Sequence, residues 1–462
     1  MTDIATSPAH VQAAAIAKGE ISSRELLDVF LDRIERLGQP INAVVTIDAE
    51  RARADARAAD DARAKGTSFG PLHGLPMTIK DAIEVGGMRS TGGAVELADH
   101  VPAEDAPAVA RLRRAGAVVF GKTNAPRWSG DFQTHNAIFG TTCNPWALDR
   151  TVGGSSGGSA AAMACGFSAL ELGTDIGGSV RIPSHCCGVF ALKPSYGVVP
   201  QRGYLDHVGG GLTDADVNVF GPIARSAEDL ELALSVLAGP EPERAVAWKL
   251  DLPGPRAHEL SGYRIGAWFE VPSCPLDRGV RTLLHGAVDA MERAGAKVEE
   301  AHPPVDFDEQ LALFMRLVGA AVSPSAPDEQ AEARGGTHRA WLRADEERAR
   351  LRRVWAEWFT SYDLLLCPVM NVPPPPHDHS EPMLERTIDI NGERAPYIGV
   401  VQWAGFIGVV GLPSAVPPIG RTPEGLPVGM QVVAPYLRDR DAVRAAALVA
   451  EVTGGYQVPP GF

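Results

Sequence analysis

The chain is poor in lysine and cysteine, has no long apolar run, and lacks excess positive charge. Only seven of its 43 basic residues are lysine, so a lysine placed inside an apolar run, as in Met77-Thr78-Ile79-Lys80, is unusual for this protein. The six cysteines (Cys143, Cys165, Cys186, Cys187, Cys274 and Cys367) contain no C-x-x-C pair. That excludes a disulfide framework and points to reduced thiols in a cytoplasmic setting. No stretch approaches the roughly 18 uninterrupted apolar residues of a membrane span, and the N-terminus shows no basic region leading into an apolar core. The expectation is a protein neither exported nor membrane-spanning. A formal net charge of −14 argues against nucleic acid or an anionic membrane as the main partner.

What is present is ordinary for a globular enzyme: 45% hydrophobic and 22% charged residues over 462 positions. Ser22 and Glu25 fit a capping box, and Leu26, Leu27, Phe30, Ile34 and Leu37 follow at helical spacing, so 22–37 is expected to be an amphipathic helix. Residues 48–65 suggest a solvated helix. The texture then turns to short apolar runs punctuated by glycine (PMTIKD, AVVFGKT, ALELGTD, GVFALKP) with Ala-rich helical stretches between them, the alternation of an α/β core. Helices are expected near 160–166, 226–238, 277–295, 338–360 and 440–453, and strands at 262–269, 408–417 and 427–435. Residues 239–255 look like a linker, and the Pro-rich run 371–380 like an extended loop. No internal repeat or domain break is visible.

Three segments carry chemistry: GLPMTIKD at 74–81, GGSSGGS at 153–159 and GTDIGGSVRIP at 173–183. Together they offer a serine nucleophile, a second hydroxyl to relay protons and a lysine base, the ingredients of amide hydrolysis. Serine needs both an adjacent base and a place for negative charge. Gly177-Gly178-Ser179 suits the second need, because glycines let consecutive backbone N–H groups converge on an oxyanion. Burial beside Met77 and Ile79 would lower the pKa of Lys80 toward neutrality, as a lysine base requires.

Other motifs compete. Residues 116–123 match the phosphate-binding pattern G-x-x-x-x-G-K-S/T letter for letter. The four variable positions Ala117, Val118, Val119 and Phe120 form a strand-like run, however, where a phosphate cradle needs an open loop. Residues 153–157 match the nucleophile elbow G-x-S-x-G, which would make Ser155 the nucleophile with a downstream histidine such as His207 or His285. An elbow needs a strand just before it, and 143–152 suggests a loop. His185-Cys186-Cys187 and His377-Asp378-His379 do not offer a tetrahedral ligand set. No metal or cofactor is expected.

With these residues in view, the chain resembles the amidase signature family. GLPMTIKD, GKTN at 121–124, the GGSSGGS block and GTDIGGSVRIP occur in the family's order, and GVFALKPSYG at 188–197, 221–230 and GLPVGMQVVAP at 425–435 extend the match. The resemblance spans 1–462 as one domain and is weakest over 240–360. It implies a single α/β/α domain with a large mixed β-sheet and a Ser–cis-Ser–Lys triad. Ser179 would be the nucleophile, Ser155 the bridging serine with a cis peptide, and Lys80 the base. Ile176, Gly177, Gly178 and Ser179 would supply oxyanion N–H groups, supported by Ser156, Asp175 and Arg181. Substrate walls are expected among Trp128, Ser129, Gly130, Asp131, Phe132, Tyr204, Tyr397 and Trp403. The expected partner is a small amide, carbamate or ester, neutral and hydrophobic or aryl, with self-association left open. Within the family, a glutaminase subunit of a tRNA-dependent amidotransferase is the competing function. Cys143 and the His185-Cys186-Cys187 cluster depart from the common pattern.

Overall fold

Glycine-punctuated apolar runs become the middle of one large sheet. The computed structural model describes residues 3–462, apart from the side chain of Asp328. Twelve strands form a mixed sheet. In spatial order they are Val44–Ile47, Val118–Thr123, Pro76–Lys80, Glu171–Asp175, Val219–Ala224, Phe190–Lys193, Ser414–Val416, Pro427–Val433, Leu364–Pro368, Arg264–Ala267 and Lys297–Glu300, with Pro418–Arg421 paired to Pro427–Val433. Pro76–Lys80 runs parallel to both of its neighbours, and Arg264–Ala267 is likewise parallel on both sides. Strands covered on both faces need unbroken apolar sequence. Pro76–Lys80, Val118–Thr123 and Pro427–Val433 are buried at every position.

Helices pack around this sheet. Ser22 and Glu25 form the expected capping box at the start of Ser23–Leu37, each satisfying a backbone N–H of the other. Ser226 caps Ala227–Leu237, and Asp277 caps Arg278–Arg293. The weakly matching region is part of the same sheet: it contributes Arg264–Ala267 and Lys297–Glu300, and helices Phe307–Val322 and His338–Trp358. The buried faces of those two helices meet Trp403, Phe406 and Ile407 in one aromatic cluster.

One sequence expectation changes, and another is met. Residues 143–152 are not a loop, because Cys143–Asn144 and Ala147–Thr151 form a small antiparallel hairpin outside the main sheet. Half-exposed and exposed residues there (Leu148, Asp149 and Arg150 among them) hide a strand from a search for apolar runs. The phosphate-loop look-alike lies largely in a buried strand, and Lys122 is spent inside the protein on the Ile83 carbonyl and the Ser90 hydroxyl.

Candidate functional site

Three segments of the sheet and its connections converge. Lys80 ends the strand Pro76–Lys80, and the neighbouring strand Glu171–Asp175 places Thr174 beside it. The serine loop 152–156 then feeds the helix Gly157–Ala164, and the turn after Asp175 feeds the helix Arg181–Cys187. Glycines allow this crowding. A Cβ on Gly154 would lie 2.5 Å from the Asp131 carbonyl oxygen, and one on Gly158 would lie 2.3 Å from the Asn124 nitrogen. Gly178 has φ 109°, and a Cβ there would meet Ala404 Cβ at 2.6 Å.

Lys80 is wholly buried, and its Nζ hydrogen-bonds Ser155 Oγ at 2.6 Å and Thr174 Oγ1 at 2.7 Å. Burial lowers its pKa to about 7, against the opposing pull of Asp175 and Glu171. A large share of this lysine is therefore neutral at pH 7, free to accept a proton. The Gly154–Ser155 peptide bond is cis. Ser156 ties the two serine segments, its N–H donating to the Ser179 carbonyl at 3.0 Å.

Asp175 organises the turn that carries Ser179. It accepts from the N–H of Gly178 at 2.8 Å and of Val180 at 3.1 Å, and it pairs with Arg181 through Nε at 2.9 Å and Nη2 at 2.8 Å. Burial pushes this carboxyl up, but the Arg181 charge and these hydrogen bonds outweigh it and hold the pKa at about 2. Arg181 also donates to the Ala404 carbonyl at 2.8 Å and to Gln431 Oε1 at 2.7 Å.

One of the four expected oxyanion donors must be corrected. The Gly178 N–H is already taken by Asp175, so it has no hydrogen to offer a substrate oxygen. Ile176, Gly177 and Ser179 have N–H groups without a hydrogen bond among the described residues. Ser179 Oγ likewise makes none, so of the expected relay only the Lys80–Ser155 link is closed here.

The candidate walls divide. Phe132 is half-buried, 3.9 Å from the position of a Cβ on Gly177, and Val401 and Phe314 stand at 3.1 and 3.2 Å from that position. Asp131 is held by Arg386 at 2.6 Å and by the Tyr397 hydroxyl at 2.7 Å. The Tyr204 phenol faces the hydroxyls of Ser129 and Thr174, and burial pushes it up to about 12. Gly130 is exposed. Trp128 packs beside Gly92, and its backbone N–H donates to the Gly92 carbonyl at 2.9 Å. Trp403 is a core residue, edge-on to Trp268 and Phe307 at ring distances of 5.7 and 5.0 Å. Sequence reasoning misses Thr174, Phe314, Val401 and Arg386. Thr174 sits inside the GTDIGG motif and is open to the same inspection, whereas the other three carry no local signal.

The competing motifs find other uses. His207 pairs with Asp206 at 2.7 Å, and His285 packs on Phe269. Ser155 has a lysine rather than a histidine as its partner. A strand does precede Gly153, but it belongs to the small hairpin and not to the main sheet. His185 accepts the Gly429 N–H at 3.2 Å and meets the Val372 carbonyl at 3.1 Å; burial lowers it to about 4 and keeps it neutral. Cys186 and Cys187 are buried beside it. Among the described residues no group of three His, Cys, Asp or Glu could hold a metal ion, and no helix is long and apolar enough to cross a membrane.

Comparison with known proteins follows the same lines. The family model described as Amidase matches residues 25–324 and 313–443. The chain is 33% identical to the indoleacetamide hydrolase of Bradyrhizobium diazoefficiens, across 96% of this chain and 86% of that protein. It is 34% identical to a glutamyl-tRNA(Gln) amidotransferase subunit of a Roseiflexus species, with 95% of each chain covered. A bacterial aryl acylamidase of the amidase signature family superposes with a TM-score of 0.86 at 27% identity, over 99% of both chains.

Proposed function

Because this chain belongs to the amidase signature family and is a carbon–nitrogen hydrolase, we propose that it is a freestanding amidase whose Ser179 forms an acyl-enzyme with neutral hydrophobic or aryl amides. The observation that carries this reading is the apolar surrounding of Gly177, where Phe132, Phe314 and Val401 lie 3.1 to 3.9 Å from the position of a Cβ on that glycine. The two charged groups nearby, Asp131 and Arg386, neutralise one another. Indoleacetamide, for which one relative is named, pairs an aromatic group with an amide in the same way. Carbamates and activated esters share the acyl-enzyme chemistry and are further candidate substrates.

In the proposed cycle neutral Lys80 takes the Ser155 proton as Ser155 takes that of Ser179. Ser179 Oγ attacks the carbonyl carbon, and the oxyanion meets N–H groups of Ile176, Gly177 and Ser179. The proton returns along the same path to the leaving nitrogen as the C–N bond breaks. Water then hydrolyses the ester by the reverse relay. Asp175 and Arg181 act through the backbone turn they hold, and Ser156 through its bond to the Ser179 carbonyl.

Three measurements test this. A small fluorophosphonate should label Ser179, more slowly in Lys80→Ala; label on Ser155 would instead favour the elbow arrangement. Lys80→Ala should lower amide turnover by roughly 10²–10⁴-fold and turnover of an activated ester far less, since an ester leaving group needs no proton. Wild-type amide turnover should rise with pH through about 7, where Lys80 loses its proton. A rate that falls steadily above pH 7 in folded protein would refute the base assignment.

The likeness to the Roseiflexus amidotransferase protein supports a second reading, glutaminase within a complex. Glutamine carries an ammonium and a carboxylate that need unpaired counter-charges, and the paired Asp131 and Arg386 do not offer them. Glutaminase activity that appears only with a co-purifying partner would favour this second reading.

A further inference from the structure

A β-hairpin far from the triad in sequence reaches the bed of the serine loop. Strands Thr387–Ile390 and Glu393–Pro396 pair in antiparallel register, with Asn391 and Gly392 at the turn in left-handed conformations. Arg386 and Tyr397 flank its two ends, joined by the Tyr397 N–H to the Arg386 carbonyl at 2.9 Å. Both side chains then converge on one carboxylate, Asp131. The guanidinium Nη1 takes one oxygen at 2.6 Å, the phenol takes the other at 2.7 Å, and the guanidinium lies 5.5 Å from the centre of the Tyr397 ring. Arg386 is 2% exposed and Asp131 20% exposed, so this is a partly desolvated ion pair rather than a surface one.

Segment 131–134 does two things at the site. Its backbone is the surface on which the serine loop lies: a Cβ on Gly154 would sit 2.5 Å from the Asp131 carbonyl oxygen and 2.7 Å from the Gln133 nitrogen. The Thr134 hydroxyl donates to the Gly153 carbonyl at 2.9 Å. The same segment carries Phe132 to the wall at Gly177 and packs it near Tyr397, with ring centres 6.3 Å apart. A second tie holds it in place, Gln133 and the Asp378 backbone exchanging hydrogen bonds of 2.7 and 3.1 Å.

We propose that Arg386 is a positioning residue that, through Asp131, sets both the Ser155 loop and the Phe132 wall of the acyl pocket. It makes no hydrogen bond to Ser155 or Ser179. Its effect is geometric: with the carboxylate released, segment 131–134 shifts, and the loop on it and the ring it carries shift together. A misplacement of about 1 Å at a reacting group can cost on the order of 10²-fold in rate. Arg386 holds Asp131 while its planar fork also reaches the Ser380 carbonyl and Glu381, a set of directions that a lysine ammonium does not reproduce.

The inference rests on Ser179 being the nucleophile, so the experiment reads Ser179 directly. Fluorophosphonate labelling rates at Ser179 would be measured for wild type, Arg386→Gln, Arg386→Lys, Asp131→Asn and the double variant Arg386→Gln/Asp131→Asn, with kcat and KM for a small acetyl amide and a bulky aryl-acyl amide. Arg386→Gln should slow labelling roughly 10- to 100-fold and raise KM more for the bulky amide than for the small one. Arg386→Lys should recover part of this loss, and it serves as the folded variant if the neutral one does not fold. The double variant should be no worse than the single ones, because both remove the same link. Multiplicative losses, or unchanged labelling and an unchanged KM ratio in folded Arg386→Gln and Arg386→Lys, would overturn the proposal alone. Absence of label on wild-type Ser179 would overturn the nucleophile assignment and this proposal with it.

Discussion

Two aspartate–arginine pairs frame the site, and they are built in opposite ways. Asp175 and Arg181 lie within one turn of chain, 0–1% exposed, and the aspartate also receives the N–H groups of Gly178 and Val180. Asp131 and Arg386 come from segments 255 positions apart, and the aspartate remains partly exposed. The first pair holds the shape of a motif that already contains the proposed nucleophile, Ser179. The second brings a distant hairpin to bear on the segment beneath the serine loop. Local pairing gives rigidity, and distant pairing gives a place where pocket shape can change without disturbing the turn that carries Ser179.

Removing one partner of the inner pair should have the largest effect on stability. Asp175→Asn leaves Arg181 charged and buried, a loss of about 3–5 kcal/mol, readable as the urea midpoint; Asp131→Asn, which leaves Arg386 its pair with Glu381 at 2.9 Å, should cost much less. Equal losses at the two sites would make the pairs equivalent in energy despite their different burial.

A smaller effect of opposite sign is expected at Lys80, the proposed base. In the folded chain Lys80 titrates near 7, well below the roughly 10.4 of a free lysine. Between those values the unfolded chain binds the extra proton, so stability rises with pH, and below 7 the full penalty of burying the charge is present. Lys80→Met should therefore be more stable than wild type by about 2 kcal/mol at pH 6. The gain should vanish or reverse near pH 10, where neutral lysine still bonds Ser155 and Thr174. Urea titrations at the two pH values check this, and a gain that persists at pH 10 would mean that the lysine is not the source.

The smallest change concerns the outer pair. Tyr397→Phe removes one of the two side-chain ties to Asp131 and leaves the ion pair intact, a loss of about 1 kcal/mol. The phenylalanine keeps its contact with Phe132, so the KM ratio of bulky to small amides should move less than in Arg386→Gln. A larger shift in Tyr397→Phe would make the phenol, rather than the guanidinium, the main support of segment 131–134.

The inner region is largely legible from sequence and the outer region is not. Lys80, Ser155, Ser156, Asp175, Ser179 and Arg181 stand in short motifs whose residue types state their chemistry, and helix starts such as Ser22/Glu25 are governed by contacts three residues apart. Gly178 shows where motif reasoning overreaches: its N–H fits an oxyanion hole on paper, yet the carboxylate three residues earlier has already claimed it. Trp403 resembles a pocket wall because an aromatic side chain has the same sequence signature in a core and in a pocket. Strand Ala147–Thr151 escapes notice because its side chains are largely exposed and partly charged.

Sequence alone determined the α/β alternation, the motif-borne candidate residues and the family, because each depends on neighbours within a few residues or on letters in a fixed order. Tertiary structure alone decided the rest. It brought Lys80 toward neutrality by burying it, packed Phe132, Phe314 and Val401 around Gly177, and set Arg386 against Asp131. Desolvation and packing depend on which distant segments share a volume, and chain topology settles that only when the sheet closes over its helices.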